Sequence, residues 1–193
     1  MTSYTNRAAG TATQLCDYTS AILGQMSQVI QPYVSSQSGD YAAHVGAHMR
    51  HIIEHYDALV QAFKSWKAGA ELRCHADYDA RERNLEVETN PLEAIRRIGL
   101  IVEIFGSNSG MKRSDMECVV EVYIRGGLNG EYDFCTQSSV ARELMFLNSH
   151  ATHHFAILQG YAKQRGQTLG AGFGRAPATV AYEKQLQQRE VAA

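Results

Sequence analysis

His44-Val45-Gly46-Ala47-His48-Met49-Arg50-His51-Ile52-Ile53-Glu54-His55 holds four of the eight histidines in a chain of 193 residues. Spacings of four, three and four return every one or two turns of an α-helix, so the four imidazoles fall within roughly 60° of one another. The stretch reads as a helix carrying a histidine stripe. A second group, His150-Ala151-Thr152-His153-His154, sets His150 and His154 one turn apart on one face and turns His153 about 100° away from His154.

An i, i+4 histidine pair on a helix can converge on one metal ion at ~2.0–2.1 Å from each nitrogen. Two such ligands from the second group and one from the stripe make three neutral nitrogens. They leave a position for water or substrate, as catalytic rather than structural metal sites do. The stripe cannot serve one ion as a whole, because His44 and His55 lie about 16 Å apart along a helix rising 1.5 Å per residue. The remaining imidazoles must orient ligands, bridge or pack. A stripe with a purely structural role, as a polar seam or a pH-sensitive dimer contact, is the competing reading.

Working outward, Leu15, Tyr18, Ile22, Met26, Val29 and Ile30 recur at helical spacing from about Thr13 to Tyr33, where Gln31-Pro32 ends the run. After Ser35-Ser36-Gln37-Ser38-Gly39, Asp40 is placed to cap a second helix reaching Trp66 and closing near Gly69. Asn90-Pro91-Leu92-Glu93 combines a capping residue, a first-turn proline and a glutamate three residues beyond the cap. It starts a third helix through about Phe105. Glu117 to Arg125 is rich in β-branched residues, and Gly126-Gly127-Leu128-Asn129-Gly130 separates it from Glu131 to Cys135, which predicts a β-hairpin inserted over about 117–135. Ser138-Ser139 caps a fourth helix to about Gln164, with Glu143 in its first turn. The expectation is a mainly α chain: a four-helix bundle over residues 1–166 with a long, hairpin-containing crossover between helices three and four. Residues 167–193 form an irregular tail, with room for a short helix from Thr179 to about Arg189.

Length suits one domain with its own core. Lys plus Arg total 18 against 20 Asp plus Glu, so no broad basic surface exists for nucleic acid. The segment MTSYTNRAAG lacks the apolar centre of a signal peptide, and no stretch approaches the ~18 apolar residues of a membrane span. A soluble, cytoplasmic protein is expected, without membrane or nucleic-acid partners. Cys16, Cys74, Cys118 and Cys135 form no C-x-x-C pair and read as reduced thiols. Tyr56 and Tyr161 read as core.

Gly46-Ala47-His48-Met49-Arg50-His51 with His55-Tyr56, together with Glu143-Leu144-Met145-Phe146-Leu147-Asn148-Ser149-His150-Ala151-Thr152-His153-His154, resemble the DinB/YfiT-like superfamily of metal-dependent four-helix bundles. Asp77-Tyr78-Asp79-Ala80-Arg81-Glu82-Arg83 and the tail Gly172-Phe173-Gly174-Arg175-Ala176-Pro177-Ala178-Thr179 resemble one bacterial branch of it. The resemblance implies His48, His150 and His154 as metal ligands, with His51 as second choice. It leaves His51, His55 and His153 as supporting or substrate-contacting groups and His44 as peripheral. Many members carry Arg-Gly directly after the last histidine where this chain has Phe155-Ala156, so their substrate contacts do not transfer. Members of known activity are hydrolases, or transferases and isomerases that use a low-molecular-weight thiol. A divalent ion is implied, with zinc as default and nickel or iron as alternatives.

Glu54 and Glu143 are candidate proton-transfer groups, Glu143 equally a stabiliser of its helix N-terminus. Asp77, Asp79, Arg81 and Arg83 read either as a polar rim for an anionic small-molecule substrate or as an ion-pair network tying a loop to the helices. The tail can wrap the helices or cover the site. Two functions follow: a metal-dependent enzyme acting on a small molecule by hydrolysis or thiol-linked transfer, or a metal- or small-ligand-binding protein or sensor without turnover. The hairpin edge suggests a homodimer.

Overall fold

The computed structural model describes residues 12–35 and 39–191. The N-terminal decapeptide and residues 36–38 of the serine-rich connection, both read above from sequence, lie outside them. The chain is mainly helical with one small sheet. Helix α1, Ala12–Val34, buries Ile22, Leu23, Met26, Val29, Ile30 and Tyr33, the stripe expected of an amphipathic helix. It continues two residues beyond Pro32, although proline has no N–H for the carbonyl four residues back. That orphaned acceptor, the Gln28 carbonyl, takes a hydrogen bond from the Gln167 side chain at 2.9 Å.

The histidine stretch enters through a π-helical turn, Ala42–Gly46, and continues as α2, Ala47–Lys67. Asp40, at its head, pairs with Arg165, while its carbonyl lies 3.1 Å from His44 Nδ1. A π turn holds more residues per turn than an α-helix, so His44 leaves the line of the other three and sits exposed beside Tyr161, ring centroids 5.4 Å apart. At Gly46 the backbone of a neighbouring short helix, α3 (Leu85–Thr89), passes so close that a Cβ would lie 1.8 Å from the Glu88 carbonyl oxygen.

Asn90 caps α4, Pro91–Phe105, by accepting from Leu92 N–H at 3.0 Å, as the Asn-Pro signal predicts. A single turn, α5 (Arg113–Met116), precedes the hairpin. The hairpin forms as β2 (Val119–Gly126) and β3 (Tyr132–Ser139), antiparallel, with Val119 opposite Ser139 and Gly126 opposite Tyr132. It runs four residues past Cys135, directly into the Ser139 cap of α6, Val140–Gln164.

The sheet also has a third strand absent from the sequence reading. β1, Cys74–Asp77, pairs parallel with β2, aligning Cys74 with Val120. Four residues whose exposed positions are His75 and Asp77 carry too little apolar signal, and the partner lies far along the chain. The tail too is more regular than expected: α7 spans Pro177–Val191. Before it, Phe173 is buried against Phe155, rings nearly parallel at 4.9 Å.

The long helices pack in pairs, α1 on α4 and α6, and α2 on α4 and α6. A buried polar chain crosses between them: Tyr56 on α2 donates to Asn148 Oδ1 at 2.8 Å, and Asn148 Nδ2 donates to Thr19 on α1 at 3.0 Å. Because each buried polar group must find its partner, this chain fixes the rotation of α2 against α6. It lies within one or two turns of the histidines on both helices.

Candidate metal centre

Five histidines meet where α2 faces α6. His48 Nδ1 lies 3.0 Å from His154 Nδ1, and His51 Nε2 lies 3.0 Å from His150 Nε2. The His55 ring sits 4.3 Å from that of His51 and 4.8 Å from that of His150, centroid to centroid. His51, His55 and His150 form the group whose ligand atoms all fall within 4.8 Å of one another, and such a group can hold a metal ion. His150 is shared with the triad His48, His150 and His154 implied by the resemblance. His48 and His154 face each other one turn along, with the His154 ring 4.8 Å from both His51 and His150. His153 is exposed and meets the His154 ring edge-on, centroids 5.8 Å apart.

Hydrogen bonds place the ring protons. The His55 Nδ1 sits 2.6 Å from the His51 carbonyl, which only accepts, so Nδ1 carries the hydrogen and Nε2 keeps its lone pair. Arg81 donates to His51 Nδ1 at 2.7 Å. The cluster is neutral: burial, then the imidazole of His55 and the Arg81 guanidinium, push His51 down to about 3. Burial first and neighbouring histidines second push His150 and His154 down to about 4. Burial lowers His48 and His55 too. Uncharged imidazoles crowded nitrogen to nitrogen are what a divalent cation requires of its ligands, and the donor set therefore fits one.

Two aromatic rings back the cluster. Tyr78 lies nearly parallel to His55, centroids 5.6 Å apart, and Phe146 nearly parallel to His150 at 5.8 Å. The Tyr78 hydroxyl donates to Glu143 at 2.8 Å, and Ser138 donates to the same carboxylate. Burial and that carboxylate push the Tyr78 phenol well up, so it stays a donor. Glu143 is 5% exposed and reaches the histidines through Tyr78. Neither aromatic stands out as functional in the sequence. The available signals were Phe146 one turn before His150, and Tyr78 within the acidic and basic run.

Glu54, on α2, accepts from Asn84 N–H at 2.7 Å with Oε1, while buried Oε2 has no hydrogen-bond partner and lies 3.9 Å from Arg81. Asp77 caps its own loop, accepting from the N–H groups of Asp79 and Ala80 at 2.9 and 3.0 Å. Asp79 accepts from Arg125 N–H on the hairpin. These bonds tie the loop to the sheet and to α2. Arg83, exposed, holds a left-handed φ of 52°. A cavity of about 450 Å³ opens beside Glu54 and Arg81, with Asp57, Asp77, Glu82 and Arg97 on its walls. A second, of about 590 Å³, lies behind Tyr78 and Phe146, against Val122, Ile124, Arg142 and Glu143.

All four cysteines are free thiols, Cys16 and Cys74 buried. Among the described residues no helix is long and apolar enough to cross a membrane. No family model matches the chain and no solved structure matches it. It is similar to FK506-binding protein 5 of Rhizopus delemar, with 32% identity over 108 residues, 56% of this chain and 27% of that protein. The chain thus spans about a quarter of the length of this curated relative.

Proposed function

We propose that the histidine cluster holds one divalent metal ion and that the protein is a metal-dependent enzyme acting on a small molecule, by hydrolysis or thiol-linked transfer. The observation that carries this is the convergence of His51, His55 and His150 from two helices, with ligand atoms within 4.8 Å. Three neutral imidazoles would leave a coordination position for water or substrate, and an ion held by His51, His55 and His150 would supply Lewis-acid chemistry suited to activating water, polarising a carbonyl or binding a thiolate. The chain's own groups orient the ligands: the His51 carbonyl fixes the ring of His55, and Tyr78 and Phe146 hold His55 and His150 by stacking. The pairwise packing of the long helices supports reading the chain as a DinB/YfiT-like four-helix bundle with a sheet-containing crossover. Zinc is the default ion, with nickel or iron as alternatives. The match to FK506-binding protein 5 covers too little of that protein to bring its ligand to this chain.

A second reading, a metal-binding protein or sensor without turnover, is favoured by one feature. Tyr78 and Phe146 lie between the histidines and the larger cavity, and the additional imidazoles His48 and His154 are near enough to close the shell. Metal analysis by mass spectrometry on wild type, His48→Ala, His51→Ala, His55→Ala and His150→Ala tests the shared premise. About one equivalent in wild type, lost in His150→Ala, is expected; protein that stays metal-free after anaerobic reconstitution refutes both readings. Cobalt(II)-loaded protein separates them, because added thiol or azide changes the visible spectrum of an open site and leaves a closed one unaltered.

A further inference from the structure

The bond between Arg81 and His51 has a consequence for metal uptake. A guanidinium has donors and no acceptor, so His51 Nδ1, 2.7 Å from Arg81 Nη1, must present a lone pair. Neither the imidazolium nor the tautomer with hydrogen on Nδ1 can accept that bond. The ring therefore carries its hydrogen on Nε2, which points at His150 Nε2 across 3.0 Å. An ion shared by His51 and His150 needs the lone pair at that same Nε2. The hydrogen must then move to Nδ1, where it would meet the N–H of Arg81 donor to donor.

Arg81 in its observed place and an ion on His51 Nε2 thus exclude each other. The structure also holds the place to which the guanidinium can go. Glu54 Oε2, on a side chain 4% exposed, has no hydrogen-bond partner, and Arg81 Nε is likewise buried and unpartnered. The two side chains are already 3.9 Å apart, so a shift of about 1 Å closes a charge-assisted bond.

We propose that Arg81 is a displaceable occupant of the histidine site: without metal it holds His51 in the tautomer that cannot ligate, and on ion uptake it transfers to Glu54. Arg81 and Glu54 both line the cavity of about 450 Å³, so the transfer links metal occupancy to the shape and charge of that cavity. Arg81 is a positioning residue acting through His51. This rests on the metal reading above.

The test compares wild type, Arg81→Met, which keeps the stem and removes every donor, and Glu54→Gln. Nitrogen-15 spectra of the metal-free proteins assign the His51 tautomer, and competition with a chromophoric chelator measures zinc affinity. Expected in wild type is a protonated Nε2 and a bare Nδ1 at His51, a preference lost in Arg81→Met. Zinc affinity is expected to rise about tenfold or more in Arg81→Met and to fall in Glu54→Gln. A His51 protonated at Nδ1 in the metal-free wild type overturns the proposal. So does unchanged or weakened zinc binding in an Arg81→Met protein that melts as wild type does, with the metal reading left standing. Absence of zinc binding in every variant refutes the metal reading, and the proposed role of Arg81 with it.

Discussion

Replacing Gly46 by alanine is expected to damage the fold from one atom. Gly46 has ordinary right-handed helical dihedrals, φ −57° and ψ −45°, so alanine is not strained there and on propensity alone gains ~1 kcal/mol. The added Cβ, however, would sit 1.8 Å from the Glu88 carbonyl oxygen and 2.8 Å from its carbon, where contacts between carbons normally begin near ~3.5 Å. The obstacle is backbone, and α3 must retreat by roughly 1.5 Å. Three anchors resist: the Tyr41 hydroxyl bond to the Val87 carbonyl at 3.1 Å, the fully buried Val87 side chain, and the Arg50–Glu88 ion pair. Leaving the buried Tyr41 hydroxyl unpaired costs ~1–3 kcal/mol and overpacking another ~1–3. After the propensity gain, a net loss of about 1–5 kcal/mol remains. For a chain of this size that lowers the melting temperature by about 2–20 °C, with the middle of the range at about 10 °C. Gly24→Ala and Gly160→Ala are the controls, helical positions with no atom within 4 Å of the added carbon, each expected to stabilise by ~0.5–1 kcal/mol. Thermal melts followed by far-ultraviolet circular dichroism decide. A Gly46→Ala protein melting within about 2 °C of wild type, or above it, refutes the reasoning.

Three further outcomes are expected. Metal-free protein loses stability as pH falls below the ordinary histidine value of 6.5, because His51, His150 and His154 resist protonation until about 3, 4 and 4 when folded and the unfolded chain binds the extra protons. Solvent reaches the half-buried rings, so the slope is taken as that of one proton rather than three, ~1.4 kcal/mol per pH unit between about pH 6 and 4.5; urea midpoints that do not move between these values contradict it. Gln167→Ala costs ~0.5–1.5 kcal/mol in wild type and nothing measurable in a Pro32→Ala background, where residue 32 recovers its own N–H for the Gln28 carbonyl; equal costs in both backgrounds show that the side-chain bond is not a substitute. Ile124, Tyr132 and Phe134 are 42–57% exposed on the hairpin, and we expect a homodimer through this face; light scattering that returns only a mass near 21.4 kDa at micromolar concentration rules it out.

The sequence signals that rest on local chemistry gave the long helices to within a residue or two. Asn90-Pro91 and Ser139 act as caps because they must satisfy N–H groups at fixed offsets, whatever surrounds them. The hairpin was legible because glycines separate two extended runs. β1 was not, since its only reason to be a strand is the edge of β2. The stripe was read with a uniform helical period, and the π turn breaks that period at His44. Which imidazoles crowd together depends on how α2 rotates against α6, and that is set by Tyr56, Asn148 and Thr19, from three helices. For Asp77, Asp79, Arg81 and Arg83 the sequence leaves two alternatives, a polar rim for an anionic substrate and an internal ion-pair network. Asp79 bonds to the hairpin backbone and Arg81 to His51, Asp77 and Arg81 also line the cavity beside Glu54, and Arg83 is exposed.

The separation of the two histidine groups along the chain orders events during synthesis. His51 and His150 are 99 residues apart, so at ribosomal speeds of ~5–20 residues per second the α2 histidines wait roughly 5–20 s for their partners on α6. Through that interval His48, His51 and His55 are available to any passing ion. Arg81 follows His51 by only 30 residues, so the guanidinium emerges within a few seconds, well ahead of His150. In chain order, the protein's own cation reaches this ring before the imidazole that would share an ion with it.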